Sequence, residues 1–139
     1  MIVFHTSPSM IFKIEKYGLS PFGDCLFFSE SPYFMTQADN PVIYQIGLNS
    51  WIDVRDLYHE EIIDDIAQAF DVDFEIAADM LCSEIEVEGE NGWYIQRKQG
   101  ECAELMGYES CKARDEQGTV YIVPMFGRES DLILVGEEI

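Results

Sequence analysis

The sequence predicts an α+β fold with strands at both ends of the chain and helices between them. Short apolar runs bounded by Gly, Pro and Ser at the two ends are typical of strands. In the middle, apolar residues recur at helical spacing between acids. The 139 residues, 47% of them hydrophobic, are enough for one core. We expect a single domain over residues 1–139, with an acidic helical insertion at about residues 53–106.

The N-terminal third is predicted to alternate strands with short helical stretches. The predicted strands are Ile2–His5, Cys25–Ser29 and Pro41–Leu48. A helix through Ile11, Ile14 and Tyr17 is expected after Pro8, and a brief helical stretch follows Ser31. Because the second strand is apolar almost throughout, we expect it to be covered on both faces.

Two apolar stripes predict the helices of the middle segment. The first stripe lies in a helix from about Val54 to Phe70 and comprises Ile62, Ile63, Ile66, Ala67 and Phe70. The second stripe comprises Phe74, Ala77, Ala78, Leu81 and Ile85. A loop is predicted at Glu88–Gly92 and a helix at Trp93–Met106, followed by strands at Glu109–Arg114, Thr119–Met125 and Asp131–Val135.

The charge of the chain is strongly acidic, with 27 acids, 8 bases and a net charge of -19. Fourteen of the acids lie between Asp53 and Glu90, where Arg55 is the single base. Such a charge excludes direct binding to nucleic acid and to anionic membranes, and it favours a basic partner. We expect the acids to face water and to dock a protein substrate. A solvated acidic face without a partner is the alternative interpretation.

Most established catalytic patterns are missing from the sequence. It contains no GxGxxG, Walker loop, HExxH or nucleophile elbow. Two histidines and four widely spaced cysteines predict no metal site, and the cysteines are expected to be reduced, buried thiols. A Cys–His nucleophile pair is compatible with the composition but has no local signature. No signal peptide or membrane span is recognisable, so a cytoplasmic location is expected.

Three short motifs remain as candidates for a functional site. They are Phe4-His5-Thr6-Ser7, Leu26-Phe27-Phe28-Ser29 with Tyr33, and Asp115-Glu116-Gln117-Gly118. Taken singly, each has a structural interpretation: a hydrogen-bonding histidine, core aromatics and an acid at a turn. In this order they resemble the ADP-ribosyltransferase fold. Further matching residues extend the three motifs, and these are Pro8, Phe22-Gly23-Asp24, Glu30, Met35-Thr36, Thr119, Tyr121, Gly127 and Glu129-Ser130. With them, the sequence resembles the ADP-ribosyltransferase family of anti-CRISPR proteins, which block the type I-F surveillance complex.

This resemblance implies that NAD is the ADP-ribose donor. The backbone of Thr6, just past the strand end, is expected to hold the nicotinamide carboxamide, and Ser7 belongs to the same NAD-binding motif. His5 is expected to bond an adenosine-ribose hydroxyl. Tyr33 and Phe28 are expected to pack on the nicotinamide ring, and Ser29 supports the strand or the amide.

The same resemblance assigns catalysis to Asp115, which would bond the nicotinamide-ribose 2′-OH and stabilise positive charge at the anomeric carbon. Glu116, its neighbour on a strand, is expected to point to the opposite face. The implied target is an asparagine in the large, PAM-reading subunit of the surveillance complex, in the cytoplasm of the bacterial host.

Departures from the wider pattern leave other interpretations open. Many members of the fold carry Glu where this chain has Asp115, and arginine-modifying toxins carry an acid where it has Ala113. Arginine is therefore disfavoured as the acceptor. Lys13, Lys112 and Arg114 are candidates for contacting the NAD pyrophosphate.

One alternative function is that of an acidic, non-enzymatic DNA mimic that binds a basic nucleic-acid-binding surface. Another is an enzyme of the same fold with a different acceptor.

Overall fold

The computed structural model describes residues 1–7, 25–30, 42–115, 118–126 and 128–135, and within them it has the expected α+β class. The strands are β1 (Ile2–Ser7), β2 (Cys25–Phe28), β3 (Val42–Gly47), β4 (Ile52–Asp53), β5 (Cys111–Asp115), β6 (Gly118–Pro124) and β7 (Ile133–Val135). The helices are α1 (Glu60–Phe70), α2 (Phe74–Leu81) and α3 (Gly89–Leu105).

The strands form two sheets. One has the order β1-β3-β7 and is antiparallel. The other has the order β2-β6-β5-β4, in which β4 runs parallel to β5 and the other pairs are antiparallel. Within the described residues, one bridge, between Phe4 and Ser29, joins β1 to the end of β2. The two sheets therefore meet at the residues that the sequence motifs single out.

The core divides into two clusters on opposite faces of the four-stranded sheet. Phe28 packs in the cluster between the sheets, with Val3 of β1, whereas Cys25 packs in the cluster under the helices. The partly buried Leu26 and Phe27 alternate in the same way. The prediction that β2 is covered on both faces is thus confirmed.

The three helices cover the outer face of the four-stranded sheet. Ile62, Ile63 and Ile66 of α1 are buried, as the first stripe predicts, and Ala77 and Leu81 of α2 are buried too. All fourteen acids between Asp53 and Glu90 are exposed, so the predicted orientation of the charge is confirmed. Among the described residues, no helix has the length and apolarity needed to cross a membrane.

Local geometry accounts for two differences from the prediction. The first helix begins at Glu60 because Val54–Asp56 forms a 3-10 turn, in which the Asp53 side chain accepts the Arg55 backbone N–H at 3.0 Å. Ile85 lies beyond the end of α2 and is 40% exposed, because Ser83 adopts a left-handed conformation with φ 65°.

The Glu88–Gly92 segment was predicted as a loop, which is wrong. Gly89 is the first residue of α3, after Glu88 at the cap position in an extended conformation. The Gly92 N–H donates to the Glu88 carbonyl at 3.3 Å, which closes the first turn. The two-residue strand β4 was not predicted. The predictions for residues 8–24 and 31–41 lie outside the described residues.

Candidate functional site

The side chain of His5 lies where the two sheets meet. Its Nδ1–H donates to the Phe27 carbonyl oxygen at 2.8 Å, and its ring centroid is 5.5 Å from that of Phe28. Burial lowers the pKa of His5, and the hydrogen bond to Phe27 opposes this shift only partly. The imidazole is therefore neutral at pH 7, with the proton on Nδ1 and the acceptor lone pair on Nε2.

In the described part of the chain, strand β1 pairs with β2 at one residue pair and with β3 along its length. Phe4 and Ser29 exchange two backbone hydrogen bonds of 2.8 Å. Because backbone direction alternates along a strand, the N–H and C=O of Thr6 point toward the same edge as those of Phe4. Beyond the bridge, the carbonyl of Phe27 accepts a proton from the His5 side chain. The imidazole therefore occupies the position where the two strands diverge.

Thr6 was expected just past the end of the first strand, and this position is corrected by the structure. Strand β1 continues to Ser7, and Thr6 is in register with Ile43 of β3. The apolar run ends at His5, but pairing with β3 extends the strand by two further residues. The Thr6 backbone nevertheless points toward the β2 edge, as that of Phe4 does. Its expected contact with the nicotinamide carboxamide stays a prediction of the resemblance.

Phe28 is a core residue, with 1% of its surface exposed. It packs between the sheets and contacts the His5 ring. Its ring therefore fixes the position of the imidazole. The expected contact between Phe28 and the nicotinamide ring stays a prediction of the resemblance.

Asp115 is the last residue of β5, and its backbone pairs with Gly118 of β6. Strands β2 and β5 both run antiparallel to β6, so their C-terminal ends lie at the same end of the sheet. The bridge residue Ser29 follows β2 at that end. The side chains of Ser7 and Asp115, and all of Tyr33 and Glu116, lie outside the described residues, so their predicted roles stay predictions.

A second polar contact near the end of β2 was not assigned a role from the sequence. The Tyr121 hydroxyl donates to Glu30 Oε1 at 2.8 Å, and Trp51 packs edge-on against the Tyr121 ring at 6.1 Å. Burial, together with the bond to Glu30, raises the pKa of Tyr121 to about 12. Glu30 and Tyr121 both belong to segments that resemble the family, and this resemblance is the signal that could have indicated them.

Two of the four cysteines, Cys102 and Cys111, do not have the character of nucleophiles. All four are free thiols, and Cys25, Cys102 and Cys111 are buried. Burial raises the pKa of Cys102 to about 11 and that of Cys111 further still, so both stay protonated at neutral pH. In the part of the chain that the structure describes, no group of three or more His, Cys, Asp or Glu side chains is arranged to hold a metal ion.

Comparison with known proteins identifies a solved structure with the same architecture, described as the crystal structure of an anti-CRISPR protein. The chain shares its fold. The TM-score is 0.62 over 88% of each chain, at 22% sequence identity. No family model matches the sequence, and no curated protein matches it. The sheets and helices described above are thus an arrangement that another sequence also adopts.

Proposed function

We propose that this protein is an anti-CRISPR inhibitor that acts as an NAD-dependent mono-ADP-ribosyltransferase. The proposal rests on one observation: His5, Thr6 and Ser29 lie together around the Phe4–Ser29 bridge between the two sheets. These residues come from two motifs more than twenty positions apart, and both motifs belong to the resemblance to ADP-ribosyltransferases. The fold shared with a solved anti-CRISPR protein supports the inhibitory role.

The proposed reaction exchanges one bond at the anomeric carbon of the nicotinamide ribose. The C–N bond to nicotinamide breaks, and its electron pair leaves with the neutral nicotinamide. An amide nitrogen of the acceptor asparagine forms the new bond and loses a proton to solvent. Positive charge develops on the ribose in between, and the Asp115 carboxylate is assigned to stabilise it.

The neutral state of His5 suits the binding role proposed for it. With Nδ1 committed to the Phe27 carbonyl, Nε2 is the atom that accepts a hydrogen bond from a ribose hydroxyl. The Thr6 backbone, which points to the same edge as that of Phe4, holds the carboxamide through one N–H and one C=O. Two fixed contacts of this kind orient the bond that breaks.

The target proposed for the reaction is the large, PAM-reading subunit of a type I-F surveillance complex. Incubating purified complex with this protein and NAD is expected to add one ADP-ribose to that subunit, and peptide mass spectrometry is expected to locate it on an asparagine. DNA capture by the complex should be lost in parallel. Unmodified subunits after prolonged incubation would contradict the proposal.

A second function, non-enzymatic mimicry of DNA, is favoured by one observation: fourteen exposed acids on a contiguous stretch of the chain. A basic DNA-binding surface selects an acidic protein as readily as it selects phosphates. The mimic inhibits without NAD and in proportion to its concentration. The transferase inhibits only when NAD is present, at a small fraction of the concentration of the complex. Omitting NAD from a DNA-binding assay therefore separates the two.

A further inference from the structure

Tyr58 and Phe74 form an aromatic pair on the surface of the helical segment. Their ring centroids are 6.4 Å apart and the ring planes meet at 69°, which is an edge-to-face arrangement. Tyr58 lies just before α1, and Phe74 is the first residue of α2. Tyr58 is 54% exposed and Phe74 is 39% exposed. Single exposed aromatics are common on proteins, but two in contact form a continuous apolar surface.

The backbone that carries this pair is held by the rest of the fold. Leu57, directly before Tyr58, is buried, and the Tyr58 N–H donates to Met106 Sδ at 3.5 Å, just after the end of α3. On the other side, the buried Ala77 fixes the first turn of α2 against the core. The aromatic surface is therefore presented on an ordered backbone, so little conformational entropy is lost when a partner packs on it.

Carboxylates flank both aromatic residues along the chain. Asp73 occupies the N-cap position of α2, yet its side chain makes no capping hydrogen bond. Arg55 is the one base within three residues of either aromatic residue. Six acids lie within the same distance, all of them exposed and none in an ion pair with a described residue, and these are Asp56, Glu60, Glu61, Asp71, Asp73 and Glu75.

The charge and the aromatic surface together restrict the kind of partner. The carboxylates repel nucleic acid, and they repel the same surface of a second copy of this chain. A cation is attracted both by the carboxylates and by the negative face of an aromatic ring. Among cationic side chains, the guanidinium of arginine is planar, is more weakly hydrated than an ammonium, and stacks on aromatic rings. An arginine side chain therefore fits this surface best.

We propose that the Tyr58–Phe74 pair is the centre of a docking surface for an arginine side chain on a basic protein partner. The guanidinium stacks on the exposed aromatic surface, and the flanking carboxylates accept its N–H groups. Aromatic and arginine residues dominate the binding energy at the centres of protein interfaces. Recognition of arginine stands on this surface alone, whereas the surveillance complex as its bearer rests on the proposed function.

Two peptides of equal charge separate the aromatic contribution from the electrostatic one. The probes are fluorescently labelled hexa-arginine and hexa-lysine, and the measurement is fluorescence anisotropy at physiological ionic strength. Tyr58→Leu and Phe74→Leu keep apolar bulk but remove an aromatic face. Each is expected to weaken binding of hexa-arginine about two- to fivefold, the scale of one exposed cation–π contact, and to weaken binding of hexa-lysine less.

The controls are matched in chemistry and exposure. Tyr58→Phe retains the ring and should bind both peptides as the wild type does. Phe126→Leu removes an aromatic ring of similar exposure, 56%, that follows β6 and lies outside the helical segment. It should leave both affinities unchanged. Circular dichroism should show the same fold for all variants.

The peptide experiment decides the proposal by itself. Equal weakening of the two peptides, unchanged binding of hexa-arginine by Tyr58→Leu and Phe74→Leu, or an equal loss in Phe126→Leu would overturn it.

Purified type I-F surveillance complex then tests the bearer of the arginine. Tyr58→Leu should slow modification of the intact complex and leave NAD hydrolysis without target unchanged. If the wild-type protein shows the arginine preference but does not modify the complex, the proposed function fails and the docking surface stands. If wild type and Tyr58→Leu modify the complex at the same rate, this surface does not dock it, and the docking role is overturned.

Discussion

At the scale of single residues, the most informative side chain is His5. One ring nitrogen is bonded to the Phe27 carbonyl, and the ring lies against the buried Phe28. Both contacts fix the tautomer and the orientation of the imidazole, as a hydrogen-bond acceptor for a ligand requires. Burial favours the neutral form, so the geometry and the pKa direction agree.

A pH prediction follows from His5. Its folded pKa lies below the ordinary value of 6.5, so protonation opposes both folding and the proposed ribose contact. Between the pKa of His5 in the folded state and 6.5, the unfolded state binds more protons than the folded state does. The free energy of unfolding should therefore fall as the pH drops below about 6.5. The rate of NAD hydrolysis should also decrease below pH 6.5. This decrease should be absent from the His5→Asn variant. If the variant shows the same decrease, another group is responsible for it.

Asp115 carries the second prediction at this scale. Asp115→Ala should lower ADP-ribose transfer about 100–1000-fold, because a charge that stabilises the developing cation is removed. Glu116→Ala is the matched control and should have a mild effect, since adjacent strand residues face opposite sides. Transfer rates of both variants against purified target provide the measurement, and similar losses in the two would exclude the assignment of Asp115.

At the scale of elements, helix α3 determines how closely the helices approach the four-stranded sheet. Gly100 is buried where α3 crosses β2 and β6, and an added Cβ would lie 2.8 Å from Cys25 Sγ and 2.9 Å from Ile122 Cγ2. The same helix is tied to α1 by Lys98, whose Nζ lies 3.1 Å from Asp65 Oδ2. Glycine at position 100 is therefore required by close packing.

We expect Gly100→Ala to lower the free energy of unfolding by about 1–2 kcal/mol. Overpacking costs about 1–3 kcal/mol, and the better helix propensity of alanine offsets up to about 1 kcal/mol of that. Glu104→Ala, at an exposed position of the same helix, should change stability by less than about 0.5 kcal/mol. Urea denaturation of both variants measures the difference, and a Gly100→Ala protein as stable as the wild type would contradict this packing.

At the scale of the whole molecule, the charge is concentrated on the helices and the proposed chemistry on the two ends of the chain. Asp65 is the one acid of the fourteen that forms an ion pair within residues 42–115. The other thirteen form none with a residue of that range, and all fourteen are exposed, so they produce a negative field around α1 and α2. A complex that captures DNA presents a basic surface, so this field is expected to orient the two proteins before contact.

Neutralising part of this surface should separate docking from chemistry. The variant Glu60→Gln, Glu61→Gln, Asp64→Asn leaves the Asp65–Lys98 pair in place. It should slow modification of the intact complex, most strongly at low salt, because exposed charges are screened beyond about 8–10 Å at physiological ionic strength. NAD hydrolysis without target should stay nearly unchanged. An equal fall in both rates would assign these acids to folding or catalysis and not to docking.

The sequence by itself determined the features that depend on local periodicity. The cover of β2 on both faces follows from its almost continuous apolar run. The buried stripe of Ile62, Ile63 and Ile66 and the exposure of the fourteen acids follow from spacing, because a side chain's face follows from its position along one element. The sequence also drew attention to His5 and Ser29, although only through family resemblance and without the Phe4–Ser29 bridge that brings their strands together.

Tertiary structure alone decided the features that join distant parts of the chain. The Glu30–Tyr121 hydrogen bond spans 91 positions, and β4 pairs with β5 across nearly sixty. A cavity is likewise lined by residues of the turn after β4, of β5 and of α3, which are far apart in the sequence. No local pattern records these neighbours, because sheet pairing and ion pairing depend on which segments meet in space, and that is set by the packing of the whole core.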